Sequence, residues 1–205
     1  FVESGGTLTM TPYSAVADQH GQALRTTRPG LLHDVFGIRV GSYQEPSVLN
    51  EVSERKLPGD RVSVVFESGE AVEVEAPRFD EVHLRGASVL ASIDGLDQPY
   101  AAVTAHTYGA GRAIYISLPV RGDLLLPVLD SESTRLGIHP SVDAPRGVIG
   151  RALDPNHALF VNLTPETQTI RYDGPTRDLL SGREYEGPVS LAPFDVEFIE
   201  KHERG

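Results

Sequence analysis

Apolar and polar positions change their spacing along the 205-residue chain, and the first change indicates an α/β layer. Residues 7–11 form a short β-branched run, and a polar stretch over 12–28 follows it. Two apolar pairs four residues apart then predict a compact helix over 29–37, because proline suits the first helical position and glycine can end a helix. Residues 38–40 predict a strand, and the strand–helix–strand order is typical of α/β domains.

Strand-length runs separated by Gly, Pro and Asp follow this segment. They cover 61–66, 71–75, 82–84, 88–93, 100–108 and 112–118. Gly109-Ala110-Gly111 joins the last two runs and predicts a hairpin loop. A helix is predicted from about Leu125 to Gly137, since Pro127 is tolerated only in a first turn.

Downstream of a boundary near Pro140 the pattern predicts only strands. These runs cover 148–153, 158–163, 167–172, 177–180, 189–191 and 196–199. Turn residues separate them at about ten-residue spacing, which indicates a small antiparallel β-sandwich. We therefore predict an α/β domain over 1–143 and an all-β domain over 144–205.

The first six residues predict the end of a helix. Gly5-Gly6 suits the left-handed position that follows a helix C-terminus. Only four residues precede this pair, too few for an independent helix. We expect the body of the helix to lie upstream, which would make the chain an N-terminally truncated fragment.

Composition excludes several classes of function. The net charge of −11 disfavours nucleic-acid binding, which needs clustered basic residues facing phosphates. The longest apolar run, 124–129, is far shorter than the roughly 20 residues that span a bilayer. Cysteine is absent, so thiolate nucleophiles and disulfides are excluded. We expect a cytoplasmic protein that binds neither membrane nor nucleic acid.

Common catalytic and metal-binding patterns are missing, so no catalytic, cofactor-binding or metal-binding residue is assigned. The histidines lie far apart, at positions 20, 33, 83, 106, 139, 157 and 202. No serine lies in a G-x-S-x-G turn, and Gly109-Ala110-Gly111 precedes a strand rather than a phosphate-binding helix. Glycoside hydrolysis needs two carboxylates. Those considered are Glu51, Glu54, Glu67, Glu70 and Glu81, which we interpret as solvated acids of an acidic surface.

Sugar binding by exposed aromatic side chains finds little support. Tryptophan is absent. The aromatic residues of the C-terminal part are Tyr172, Tyr185, Phe194 and Phe198, and core filling is the simpler interpretation. Asn162-Leu163-Thr164 matches a glycosylation sequon, but nothing in the sequence indicates secretion.

Several segments resemble the C-terminal half of family 42 glycoside hydrolases, the β-galactosidases. The N-terminal segments are FVESGGTLTMTPYSAVAD (1–18) and RPGLLHDVFGIRV (28–40). The central hairpin is QPYAAVTAHTYGAGRAIYISLP (98–119). FVNLTPETQTI, DLLSGREY and LAPFDVEFIE (160–170, 178–185 and 191–200) resemble the small β-domain that ends these enzymes.

The resemblance implies a TIM-barrel catalytic domain, an α/β trimerisation domain and a small β-domain in one polypeptide. The catalytic glutamates of the family belong to the barrel, so none is carried over to this chain, and no cofactor is expected. The α/β domain also resembles flavodoxin-like and class I glutamine amidotransferase folds. We therefore expect a truncated domain of that fold with extra β-hairpins, followed by the small sandwich.

The leading hypothesis is the non-catalytic oligomerisation part of a β-galactosidase, partnered by its own barrel and by copies of itself in a trimer. Two alternatives are an amidotransferase-like ligand-binding domain and a carbohydrate-binding accessory module. Apolar positions over 31–36 and 125–136 could form the contact between copies, although core packing explains them more simply.

Overall fold

The computed structural model describes residues 1–49, 60–120, 122–172 and 174–201. A 3-10 turn over Gly30–Leu32 leads directly into helix α1, His33–Phe36, and helices α2 and α3 cover Pro46–Leu49 and Gly122–Arg135. The strands are β1 Thr7–Met10, β2 Ile38–Gln44, β3 Arg61–Phe66, β4 Ala71–Glu75, β5 Phe79–Leu84, β6 Ser88–Asp94, β7 Tyr100–Tyr108, β8 Gly111–Ile116, β9 Val148–Ala152, β10 His157–Asn162, β11 Gln168–Ile170, β12 Pro175–Asp178, β13 Glu184–Glu186, β14 Val189–Leu191 and β15 Val196–Lys201.

A six-stranded sheet of order β1-β8-β7-β6-β3-β4 organises the first part of the chain. β1 pairs parallel with β8, and the other neighbouring pairs are antiparallel. Successive side chains of a strand point to opposite faces. On β8 this places Ala113 and Tyr115 on one face of the sheet and Ile114 and Ile116 on the other.

Each face of β8 has its own hydrophobic core. Ile114 and Ile116 lie in a core that includes Leu124 and Val128 of α3. The opposite core joins Tyr115 to Phe36 of α1 and to Ile38 of β2. Burying each large apolar side chain contributes about 1.5–3 kcal/mol. The segment from the 3-10 turn to β2 is therefore held against one face of the sheet, and α3 against the other.

The expected flavodoxin- or amidotransferase-like α/β arrangement is not confirmed, and the fold is mostly β. The strand–helix–strand segment does not return to one sheet, because β2 pairs antiparallel with β5 in a separate two-stranded sheet. Gly37 directs this path. It ends α1 in the left-handed conformation, with a φ of 59°. Its carbonyl accepts hydrogen bonds from the amides of Arg85 (2.7 Å) and Ala87 (3.2 Å).

The C-terminal strands form two antiparallel sheets around a shared core, in agreement with the predicted arrangement. The sheets have the orders β13-β12-β15-β10-β9 and β11-β14. Phe160 and Ile199 of the larger sheet share this core with Ile170 and Leu191 of the smaller one. Sequence analysis does not predict β13, because glutamates flank its one apolar residue, Tyr185.

Most predicted element bounds agree with the structure, and β3, β4, β7 and β14 have the predicted bounds. The predicted helix end at the start of the chain is a turn in which Gly6 N–H donates to the Phe1 carbonyl (3.0 Å) and Gly5 N–H to the Val2 carbonyl (2.9 Å). This is the hydrogen-bond pattern of helix C-termini. One prediction is wrong in detail: α3 begins at Gly122, so Pro127 lies inside the helix and not in its first turn.

Contacts divide the chain into two compact units, Phe1–Ser131 and Glu132–Gly205. Val142 and Ala144 pack against the core of the second unit. The division at residues 143 and 144 stays a prediction. Across the described ranges, every helix is too short or too polar to cross a membrane.

Candidate functional site

Three of the histidines that the structure describes contact backbone carbonyls or a neighbouring carboxylate. His33 Nδ1 lies 2.9 Å from the Gly30 carbonyl, and His106 Nδ1 lies 2.9 Å from the Val35 carbonyl. His157 contacts the carboxylate of Asp154 at 2.8 Å. Within residues 1–49, 60–120, 122–172 and 174–201, the His, Asp and Glu side chains form no group of three or more that could hold a metal ion. His202 lies outside the described residues.

The carboxylates considered for glycoside hydrolysis are not brought together as a set. Glu51 and Glu54 lie outside the described residues. Glu67 and Glu70 are exposed in the turn between β3 and β4. Glu81 lies on β5 and accepts hydrogen bonds of 3.2 Å from Ser42 Oγ and Gln44 Nε2.

The first unit holds a buried polar cluster that sequence analysis did not find. Asp80 on β5 is 2% exposed, and one of its carboxylate oxygens accepts a hydrogen bond from Tyr115 on β8. The other oxygen lies 3.1 Å from Arg28 Nη1. Arg28 also donates to the Gly41 carbonyl on β2. This cluster joins Arg28, two residues before the 3-10 turn, to the strands β2, β5 and β8.

The properties of this cluster indicate a structural role. Burial raises the pKa of Tyr115, and so do the hydrogen bond to Asp80 and the negative charge of that carboxylate, so the phenol remains a neutral donor. The side chain of Arg28 is 28% exposed, and both oxygens of Asp80 have partners. A nucleophile or general acid must lie within reach of its substrate, and Asp80 and Tyr115 are only 2% and 3% exposed. We therefore interpret the Arg28–Asp80–Tyr115 cluster as an anchor for the chain that enters the 3-10 turn.

A second buried cluster lies in the C-terminal unit, where Asp178 of β12 and Glu197 of β15 are both nearly inaccessible. Asp178 accepts hydrogen bonds from the backbone amides of Leu180, Ser181 and Phe198, between 2.7 and 3.2 Å. Burial opposes its ionisation, but hydrogen bonds from Ser181 and these amides prevail and lower its pKa. Tyr185 donates to Glu197 Oε1 at 2.8 Å.

Glu197 differs from Asp178 in having too few donors. Its Oε2 is buried without a hydrogen-bond partner among the described residues. Burial raises the pKa of Glu197, and the nearby carboxylates of Asp178 and Asp195 raise it further against the lowering effect of Tyr185. The pair has carboxyl groups, as glycosidases require, but it lies inside a small sandwich with no room for a sugar between a nucleophile and an acid. We interpret it as part of the core.

An open groove of about 290 Å³ lies beside β3 and β6. The apolar residues that line the groove include Val65, Phe66, Leu90 and Pro99. The acidic residues beside them are Glu67 and Asp94. Ligand pockets usually measure about 300–1,000 Å³ and enclose most of the ligand. This open groove is at the lower limit of that range.

The aromatic residues of the second unit do not form a platform for a sugar. Tyr172 packs edge-on against Phe160 with ring centroids 5.7 Å apart, and Phe198 packs near His157. Tyr185 bonds to Glu197. Of these four rings, only Phe194 is exposed, and one exposed ring does not make an extended stacking surface.

The sequon residue Asn162 is fully buried. Its Nδ2 donates to the carbonyls of Glu166 (2.7 Å) and Ala192 (2.8 Å), and its Oδ1 accepts from the amide of Thr164 (2.9 Å). The amide of Asn162 thus holds the loop after β10, and its nitrogen is not accessible for glycosylation in the folded chain.

Comparison with known proteins identifies the family. A family model described as the β-galactosidase trimerisation domain matches residues 1–138. The chain belongs to this family. β-Galactosidase LacZ of Heyndrickxia coagulans is 29% identical over 210 residues, which cover 100% of this chain and 30% of that protein. β-Galactosidase Pbg of Clostridium perfringens is 26% identical and is matched over 98% of this chain and 30% of its own length.

Solved structures agree with this trimerisation-domain assignment. A catalytic mutant of a GH42 β-galactosidase from G. stearothermophilus aligns with a TM-score of 0.76 and 25% identity, over 99% of this chain and 29% of its own. The β-galactosidase of Bacillus circulans sp. alkalophilus aligns with a TM-score of 0.76 and 21% identity, over 98% of this chain and 30% of its own. The trimerisation-domain chain thus spans less than a third of these relatives and corresponds to a non-catalytic, C-terminal part of a family 42 enzyme.

Proposed function

We propose that the chain assembles a β-galactosidase into a trimer while a TIM barrel elsewhere in the same polypeptide hydrolyses terminal β-D-galactosides. The observation that carries this proposal is the family match over residues 1–138, because that family is named for trimer formation. The relatives named above are β-galactosidases, of which the chain covers 30%. In this proposal the chain contributes the contacts between copies. The remaining 70% of such an enzyme is long enough to contain the catalytic TIM barrel.

The buried clusters of the chain support a scaffold role. Asp80 and Asp178 have their carboxylate oxygens occupied by partners of the chain itself. Both carboxylates are also almost fully buried, so a glycosidic bond cannot approach them. The partners that we propose are the barrel of the same polypeptide and two further copies of the chain. The net charge of −11 disfavours nucleic acid as a partner.

The experiment compares the full-length polypeptide that carries this chain with the 205-residue chain alone. Sedimentation velocity should give the mass of a trimer for the full-length polypeptide, and a chromogenic β-galactoside should be hydrolysed by it. The isolated chain should leave the same substrate intact. Hydrolysis by the isolated chain would overturn the assignment of chemistry to the barrel, and a full-length monomer at all concentrations would overturn the assembly role.

Two finer points are also proposals. We infer a domain boundary close to residue 143, supported by the two prolines at 140 and 145 and tested by limited proteolysis between the units. A cytoplasmic location is supported by the absence of cysteine, which suits a reducing compartment. Fractionation of the host cells with an antibody against the chain tests it.

A further inference from the structure

The segment between β1 and the 3-10 turn, residues 11–29, is a long ordered loop. Connections in compact domains are usually about four to six residues, and ordered loops longer than about 12–15 are often binding loops. Its conformation is fixed by its own hydrogen bonds. Asp18 Oδ1 accepts from the amides of His20 (2.8 Å) and Gln22 (3.0 Å), and Leu24 N–H donates to the Val16 carbonyl (2.9 Å).

The loop folds back onto the 3-10 turn. A Cβ added at Gly30 would lie 3.0 Å from Leu24 Cδ1 and 3.3 Å from the Ala15 carbonyl oxygen. Residues from the first and the second half of the loop, Ala15 and Leu24, therefore both lie close to Gly30. The Arg28–Asp80–Tyr115 cluster anchors the end of the loop to the sheet.

This anchored region presents apolar side chains to solvent. Leu31 is 85% exposed and Tyr13 is 61% exposed, whereas Phe36, five residues after Leu31, is 1% exposed. Core packing explains Phe36 and leaves Leu31 without an explanation. Tyr13 and Ala15 adopt left-handed φ values of 66° and 52°. Left-handed conformations are unfavourable for residues other than glycine, so the surrounding structure must hold Tyr13 and Ala15 in place.

The charge of the region favours a second copy of the chain as its partner. Residues 11–31 contain Arg25, Arg28 and one aspartate, and Arg28 is paired with Asp80, so the region is close to neutral in a chain of total charge −11. Two copies of so acidic a chain repel each other over most of their surface. A nearly neutral surface with an exposed leucine and tyrosine is where one copy can approach the acidic surface of another with little repulsion.

We propose that this region, the loop surface formed by Tyr13, Arg25 and Leu31, is a contact between copies of the chain. The inference rests on the proposed trimer and names the surface that makes it. A closed ring of three identical chains joins unlike surfaces, so the loop surface of one copy packs against a different, acidic surface of the next. Leu31 is its central anchor.

The test uses sedimentation velocity of the full-length polypeptide in three forms: unchanged, Leu31→Glu and Leu163→Glu. Leu163 is the matched control because it is also an exposed leucine, at 57%, and it lies outside the family match. A buried interface anchor contributes enough to weaken association by at least about 30-fold when it is removed. In a dilution series, Leu31→Glu should therefore dissociate at a concentration at least about 30-fold higher than the unchanged polypeptide does, and Leu163→Glu should dissociate at the same concentration as the unchanged polypeptide.

A second readout introduces single cysteines into this part of the full-length polypeptide, which has none of its own, and follows the labelling of the peptides that carry them. Leu31→Cys should react slowly with a thiol-specific maleimide in the trimer, and Leu163→Cys should react rapidly. An unchanged dissociation midpoint for Leu31→Glu, or equal labelling at both positions, would overturn the loop surface while leaving the trimer intact. A monomeric unchanged polypeptide would instead refute the proposed function, and the loop surface with it.

Discussion

Tyr115 and Asp80 join β8 to β5 through a buried hydrogen bond of 2.5 Å, between the phenolic oxygen and Asp80 Oδ2. The two residues are 35 positions apart in the chain, and their strands belong to different sheets. Arg28 completes the cluster from the end of the long loop. The contact therefore ties the large sheet, the two-stranded sheet and the loop surface together at one point.

Removing the carboxylate of Asp80 should destabilise the fold strongly. Asp80→Ala leaves the guanidinium of Arg28 and the phenol of Tyr115 without their partner. Losing one member of a buried pair costs about 3–5 kcal/mol, and the partial exposure of Arg28 places the expected loss near 3 kcal/mol. Urea unfolding measures it. Tyr115→Phe removes only one hydrogen bond and should cost about 1–2 kcal/mol; equal midpoints for the two variants would contradict the cluster as an anchor.

Gly37 should be intolerant of a side chain for two reasons. Its φ of 59° is strained for any other residue, and a Cβ there would lie 2.6 Å from the His106 ring and 2.9 Å from the Ala87 nitrogen. Gly21 has a similar φ of 76° but open space around it. Gly21→Ala should cost about 1–2 kcal/mol from backbone strain alone. Gly37→Ala should cost clearly more in the same thermal unfolding experiment, and equal losses would show that the contacts around Gly37 can relax freely.

Sequence predicted the local elements well and the long-range arrangement poorly. Strands such as β3 and β4 alternate valines with polar residues, and Gly69 or Pro77 follows within three residues of the strand end, so both their nature and their bounds follow from neighbouring residues. The pairing of β2 with β5 depends on the carbonyl of Gly37 meeting residues nearly 50 positions later, which no local pattern encodes.

The same distinction applies to the polar clusters. Arg28 and Asp80 are 52 residues apart, and each looks like an ordinary surface charge in its own segment. One sequence signal bears on Asp80. It directly follows Phe79 at the start of β5, and the alternation of a strand places two consecutive side chains on opposite faces, so an apolar Phe79 in the core leaves Asp80 on the other face, which is also buried here. The exposed position of Leu31 could not be predicted, because its spacing from Val35 is that of a core helix face.

Asn162 should be essential to the C-terminal unit for the hydrogen bonds it makes. Asn162→Ala removes the hydrogen bonds that Nδ2 donates to the carbonyls of Glu166 and Ala192, and those that Oδ1 accepts from the amide and hydroxyl of Thr164. Each such bond contributes about 0.5–1.5 kcal/mol net, so the variant should lose at least about 2 kcal/mol of stability. Asn156→Ala is the control, since Asn156 is exposed in the turn between β9 and β10. Circular dichroism during urea unfolding distinguishes them, and matching curves would refute the role of Asn162.

Glu197 should make the stability of the chain depend on pH, because burial and the neighbouring carboxylates raise its pKa in the folded state. A group whose pKa is higher in the folded state than in the unfolded state binds its proton more tightly on folding. Its stabilising contribution is full below the unfolded pKa and is lost as the pH rises through the raised folded value.

Glu197→Gln removes this loss because the amide cannot ionise, and its oxygen can still accept the hydrogen bond from Tyr185. The variant should melt at a higher temperature than the unchanged chain at pH 8, and the difference should shrink as the pH falls toward 4. Glu184→Gln, an exposed position on the adjacent β13, should follow the unchanged chain at every pH. A Glu197→Gln variant that is less stable than the unchanged chain at pH 8 would mean that the ionised carboxylate is favoured in the core, against the direction given by its burial.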